Sequence, residues 1–175
     1  MYPPLRQARD CDLTKRAGDA VNCVMKWIAP ICLIAAPVFA QECPPVADTV
    51  EQQKQIMAEL SLAPTPADAQ VLNRQLWAIW TEAPDALAQA MLDEGMARRS
   101  SYDFLGAREV LGRLVEYCPD YAEGYNQRAF VHYLARDFEA ALVDLDIALA
   151  ILPAHLGALS GKALTLLGRR RMALV

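Results

Sequence analysis

The side chains that could move a proton or hold a metal together are best sought in one stretch, Gly124 to Pro153, which carries one of the chain's two histidines. There His132 is accompanied by Arg128, Arg136, Asp137, Glu139, Asp144 and Asp146 on an apolar framework. A histidine among carboxylates is the raw material of general acid–base catalysis or of a metal site. The spacing argues against both. Asp144 and Asp146 are two residues apart, so on a helix they diverge and cannot work as a carboxylate pair. His155 is the one other imidazole, and neither a Gly-rich phosphate loop nor a nucleophile set beside a base accompanies it. Five cysteines, Cys11, Cys23, Cys32, Cys43 and Cys118, make no C-x-x-C or Cys/His ligand pattern. The residues predict no catalysis, no cofactor and no metal, and the polar set reads as decoration on packing helices.

The elements that carry these residues are predicted to be helices. The chain has 175 residues, a formal net charge of −4 and 54% hydrophobic content, which is enough for one ordinary core and too apolar for a disordered chain. Alanine and leucine are abundant and the alternation that strands need is scarce, so the fold class expected is all-α. No basic stripe stands apart from compensating acids, except "GRRR" near the end. Nucleic acid is therefore not an expected partner.

Sliding the stretch back by thirty-four residues brings its side chains into register. Small residues recur at Gly95, Ala129 and Ala163, and larger apolar ones at Met91, Tyr125 and Leu159. Phe104 matches Phe138, Ala107 matches Ala141, Leu111 matches Leu145, and Pro119 matches Pro153. A small side chain in the first helix of a pair lets the second helix approach closely. Asp103 and Asp137 suit the N-cap of the second helix, and the prolines stop it. Glu94/Arg98 and Glu109/Arg113 are i,i+4 pairs that read as solvated faces.

With this period and these small positions, residues 85–168 resemble the tetratricopeptide repeat (TPR) family. Its pattern maps onto Met91, Glu94, Gly95, Arg98, Ala107, Leu111 and Pro119, and again onto Tyr125, Arg128, Ala129, His132, Ala141, Leu145 and Pro153. The chain departs from the family at Glu94, Arg128 and Lys162, charged where leucine is common. The resemblance implies a short α-solenoid of antiparallel helix pairs whose last repeat is incomplete: repeats at about 88–121 and 122–155, then the first helix of a third at 156–168. It also implies a binding scaffold with a concave groove lined by first helices, here Leu92, Met96 and Arg99, then Asn126, Phe130 and Tyr133, then Ser160, Leu164 and Leu167. Each trio shares a face at i,i+4,i+7. The expected partner is a protein or peptide of unknown identity. Asn126 is expected to hydrogen-bond its main chain while apolar pockets choose its side chains.

Residues 41–83 read as an N-terminal helical hairpin or a degenerate repeat. Helices are expected over 47–62 and 66–82, with Thr65 as N-cap, Pro66 at the first helical position and Asp68 placed like a capping-box acid. Trp77 and Trp80, at i,i+3, are expected to bury against the first true repeat. At the other end, the helix beginning at Leu156 has leucines on more than one side. Truncation of the chain, a partner or a second copy would account for them. A structural or assembly subunit of an envelope complex, docking through this C-terminal helix, is the alternative function.

An export signal is expected to begin at Met25. Lys26 supplies the positive region, Trp27 to Ala36 the apolar one, and Pro37 to Ala40 a small-residue cleavage region with the cut after Ala40. The apolar run is shorter than the roughly twenty residues of a spanning helix, so no permanent membrane anchor is expected after cleavage. Residues 1–24 would then be an upstream extension from a mis-called start, 25–40 the signal, and the mature protein periplasmic or secreted. Export would leave Cys43 and Cys118, a possible disulfide in an oxidising compartment, closing a long loop and stabilising by about 4 kcal/mol if unstrained.

Overall fold

Three aspartates punctuate the chain at the starts of helices. The side chains of Asp85, Asp103 and Asp137 accept the backbone N–H of Ala88, Gly106 and Ala140, satisfying a donor that the first turn leaves free. Thr65 does the same for Asp68 N–H, with Pro66 at the first helical position. The computed structural model describes residues 42–172. Within them the elements are α1 (Val50–Ser61), α2 (Pro66–Trp80), α3 (Ala86–Ser100), α4 (Phe104–Tyr117), α5 (Ala122–Leu134), α6 (Phe138–Ile151) and α7 (Leu156–Met172). The expected extension, export signal and cleavage site at Ala40 lie outside the described residues.

The architecture is all-α, with each helix from α3 onward packed on the next, as in a short helical-repeat solenoid. The small positions have the role their register demands. A Cβ on Gly95 would lie 2.6 Å from the Leu111 side chain, and Ala129, its counterpart, is buried in one cluster with Leu145. Two cores result, one around Leu92, Leu111, Leu114 and Val131, the other around Ala129, Leu145, Ala148 and Ala158. Each fully buried leucine contributes roughly 2 kcal/mol. Ala163, third in the register, is exposed, because no described helix follows α7 to pack on it.

The turns inside the two complete pairs also repeat. Tyr102 and Arg136 both have positive φ, 64° and 61°. In each turn the N–H of the following aspartate reaches back five residues, Asp103 to Arg98 C=O and Asp137 to His132 C=O. This left-handed closure satisfies carbonyls at the end of α3 and of α5.

Two features differ from the sequence reading. The last helix does not stop at Gly168 but runs to Met172. Arginine is a good helix former, and Arg169, Arg170 and Arg171 place positive charge at the C-terminal end, where the helix dipole favours it. The N-terminal hairpin does not bury its tryptophans on the first repeat. Trp80, Ile56 and Leu76 form a cluster packed by Leu152 and Leu156, at the junction of α6 and α7, whereas Trp77 stays 42% exposed. Cys43 and Cys118 are joined by a disulfide, with Cα atoms 5.2 Å apart.

Candidate binding groove

The first helices of successive pairs, α3, α5 and α7, lie side by side and line a cavity of about 220 Å³. Arg99 comes from α3, Phe130 and Tyr133 from α5, Ser160 and Leu164 from α7, and Trp77 reaches in from α2. The expected groove residues divide around this cavity. Arg99, Asn126, Phe130, Tyr133, Ser160 and Leu164 border it. Leu92 is fully buried and Met96 packs against the same core. Leu167 is exposed but does not border the cavity. At i,i+4,i+7 one end of a helical trio turns into the neighbouring helices, which is why the trio from α3 contributes only Arg99.

Arg99 stands over the Phe130 ring, its Cζ 4.9 Å from the centroid, and Phe130 stacks with Tyr133 at 6.3 Å. One guanidinium nitrogen donates to Gln127 Oε1. Burial pushes the Arg99 pKa down, opposed by the charge of Glu123. A half-buried guanidinium over an aromatic face, with most of its five donors unused by the described residues, attracts a carboxylate or carbonyl acceptor in a ligand.

Behind the cavity lies a buried polar chain that the sequence reading missed. Gln127 donates to the Glu123 carboxylate, Asn126 Nδ2 donates to it at 2.9 Å, and His155 Nε2 lies 2.8 Å from it. Glu123, Gln127 and His155 are buried to within 2% of completely. His155 Nδ1 accepts the Ala158 N–H at 3.2 Å, so Nε2 carries the proton given to Glu123, and the ring caps α7. A buried carboxylate is tolerable only with such a full set of donors. One N–H of the Asn126 amide is thus engaged within the protein, while the residue also borders the cavity. Register could not reveal this network: the residues matching Glu123 in the neighbouring repeats are Gln89 and Gly157.

The other polar residues of the opening stretch do more than decorate. Arg128 donates twice to Asp144, at 2.8 and 2.6 Å, and stands over the Tyr125 ring, linking α5 to α6. Burial lowers the His132 pKa, against the nearby carboxylates of Asp144 and Asp137. Among the described residues its Nδ1 has no hydrogen-bond partner; the Asp137 carboxylate is 3.4 Å away but poorly aligned. Asp146 instead pairs with Lys162 on the surface. Among the described residues no group of three or more His, Cys, Asp or Glu is placed to hold a metal, and no helix is long and apolar enough to cross a membrane.

No family model matches this chain, and no solved structure matches it. A TPR repeat-containing protein of Rhizobium etli is 25% identical over 109 residues, 62% of this chain and 53% of that protein. The chain thus spans about half the length of that curated relative. It is weakly related to a TPR-repeat protein and shares with such repeats an all-α arrangement of stacked helix pairs.

Proposed function

We propose that this chain is an exported TPR-type scaffold that binds a protein or peptide segment in the groove between α3, α5 and α7, without catalysis. The observation that carries the reading is the cavity itself: aromatic and aliphatic walls from Phe130, Tyr133 and Leu164 around the half-buried Arg99 guanidinium. Such a surface accepts an apolar side chain with an acceptor group beside it. Export is supported by the signal pattern from Met25 to Ala40 and by the Cys43–Cys118 bond, since disulfides persist in oxidising compartments. N-terminal sequencing of secreted material tests it, and a first residue other than Gln41 rejects the cleavage site.

Site-specific photo-crosslinking tests the groove. A crosslinker at Leu164 should capture a partner, and one at Val143, exposed on α6, should not. Phe130→Ala should abolish the Leu164 product. Asn126→Ala is a poor control, because it disturbs the buried carboxylate network. Equal capture from both positions rejects the groove.

The uncovered leucines of α7 favour a second reading, an assembly subunit that docks through its last helix. Leu159, Leu166 and Leu167 are exposed around Ala163, the seat that a following helix fills in the two complete pairs. Sedimentation separates the readings: a monomer supports the scaffold, an obligate oligomer the subunit.

A further inference from the structure

We propose that the binding cavity is composite: the N-terminal hairpin supplies Trp77 as one wall, and the Cys43–Cys118 disulfide holds that wall in place, so that the site is complete only in the oxidised protein. The consequence for binding rests on the groove reading above. Trp77 belongs to α2, outside the repeats, yet borders the cavity with Arg99, Phe130 and Leu164. Among the described residues, the backbones of α1 and α2 pack chiefly on each other. Side chains attach it to the repeats. Trp80 stacks on His155 with centroids 4.2 Å apart and accepts the Tyr121 hydroxyl at its carbonyl, 2.6 Å. Leu152 and Leu156 close the apolar part of the joint. The joint is imperfectly filled: a gap of about 200 Å³ remains between hairpin and repeats, bordered by Val50, Gln53, Trp80, Tyr121 and Leu152.

Both ends of the hairpin segment are tied to adjacent residues at the end of α4. Cys43 is bonded to Cys118, and Asp85, the N-cap of α3, receives the Tyr117 hydroxyl at 2.7 Å. The hairpin is therefore a closed excursion from one point, and Trp77 lies on its returning helix α2, shortly before residues 81–85. Cutting the disulfide frees one end and leaves a segment hinged at 81–85. A dithiol such as dithiothreitol does this by passing two electrons and two protons: Cys43 and Cys118 become thiols, and the reagent closes to its own disulfide. The bond borders a surface cavity lined by Glu42, Cys43, Pro44 and Tyr117, the side from which the reagent would approach.

Hydrogen exchange of the full chain, oxidised against dithiothreitol-treated, tests the latch without a ligand. Reduction should speed exchange about tenfold in α1 and α2 and leave α3 to α6 unchanged, with the Cys43→Ser/Cys118→Ser variant matching the reduced protein. Unchanged protection of α1 and α2 overturns the proposal. So does uniform loss of protection, which would make the bond a support of the whole fold. The wall is tested separately with the partner captured at Leu164, the disulfide intact. Trp77→Ala should weaken capture at least fivefold. If Phe130→Ala loses the partner and Trp77→Ala retains it, the composite wall is rejected and the groove reading stands; if both retain it, the groove reading itself is lost.

Discussion

Tyr121 and His155 occupy the same position of successive repeats, thirty-four residues apart, and both grip Trp80. The tyrosine donates its hydroxyl to the Trp80 carbonyl, while the imidazole stacks on the indole. Trp80 ends α2, where carbonyls lack partners within the helix. Burial raises the Tyr121 pKa strongly, so the phenol stays protonated as the donor. Tyr121→Phe should cost about 1 kcal/mol of stability, read by urea denaturation. An unchanged midpoint would show that the hydroxyl contributes nothing at this joint.

Glu123 joins α5 to α7 through His155. Glu123→Ala removes the acceptor from Asn126, Gln127 and His155 at once and leaves buried donors unmatched. The expected loss is about 3 kcal/mol, larger than for any exposed acid such as Glu139. Equal losses for the two would indicate that water enters and satisfies the site.

His132 gives a pH dependence whose sign follows from its burial. Its folded pKa lies below the ordinary value of 6.5, so between the two values the unfolded chain binds more protons and stability rises with pH. The stabilisation is complete above 6.5 and is lost as the pH falls below it. His132→Phe should flatten this part of the profile, measured by urea denaturation from pH 8 to pH 5. Asp85 and Asp103 act lower: backbone hydrogen bonds from Ala88 and Gly106, helped by Tyr117 and Arg98, hold their carboxyls below the ordinary 3.8. Their contribution disappears only as the pH drops below that value. A slope near pH 6 that survives His132→Phe unchanged would move its origin elsewhere.

What the sequence made legible was the part that repeats. Gly95 and Ala129 announce close helix contact because a small residue must recur wherever two axes meet at one step, and Asp103 and Asp137 announce helix starts for an equally local reason. The Glu123–His155 pair had no such signal. Glu123 has no acidic counterpart in the neighbouring repeats and His155 answers to a tyrosine, Tyr121, so the pair is chosen by three-dimensional juxtaposition alone. Trp77 escaped for a similar reason: i,i+3 spacing told that it shares a face with Trp80, but not that the hairpin would fold back to α6 and α7. Leu92 and Met96 were assigned to the groove because register fixes a face, whereas burial depends on how far each neighbouring helix overlaps it.

Arg136 holds a left-handed conformation, φ 61°, at an exposed turn. Side chains with a Cβ pay about 1 kcal/mol there, partly offset in glycine by its greater chain entropy when unfolded. Arg136→Gly should therefore stabilise by about 0.5 kcal/mol, and Arg136→Val should destabilise by about 1 kcal/mol. Thermal unfolding of the two variants should move in opposite directions. If glycine also destabilises, the arginine side chain makes a contribution at this turn that outweighs its backbone cost.

Gly95 and Ala163 share a register position but not an environment. At Gly95 an added Cβ meets Leu111 at 2.6 Å, with the buried face of α4 behind it, so Gly95→Leu should cost about 3 kcal/mol or more through overpacking. At Ala163 the same side chain enters open space, and Ala163→Leu should change stability by no more than about 0.5 kcal/mol. Denaturation of both variants, with oligomeric state recorded for Ala163→Leu, makes the comparison sharp. A large loss at Ala163 would mean that something packs on α7 at the seat which α4 and α6 fill in the complete pairs, and dissociation on that substitution would identify the occupant as a second copy of the chain.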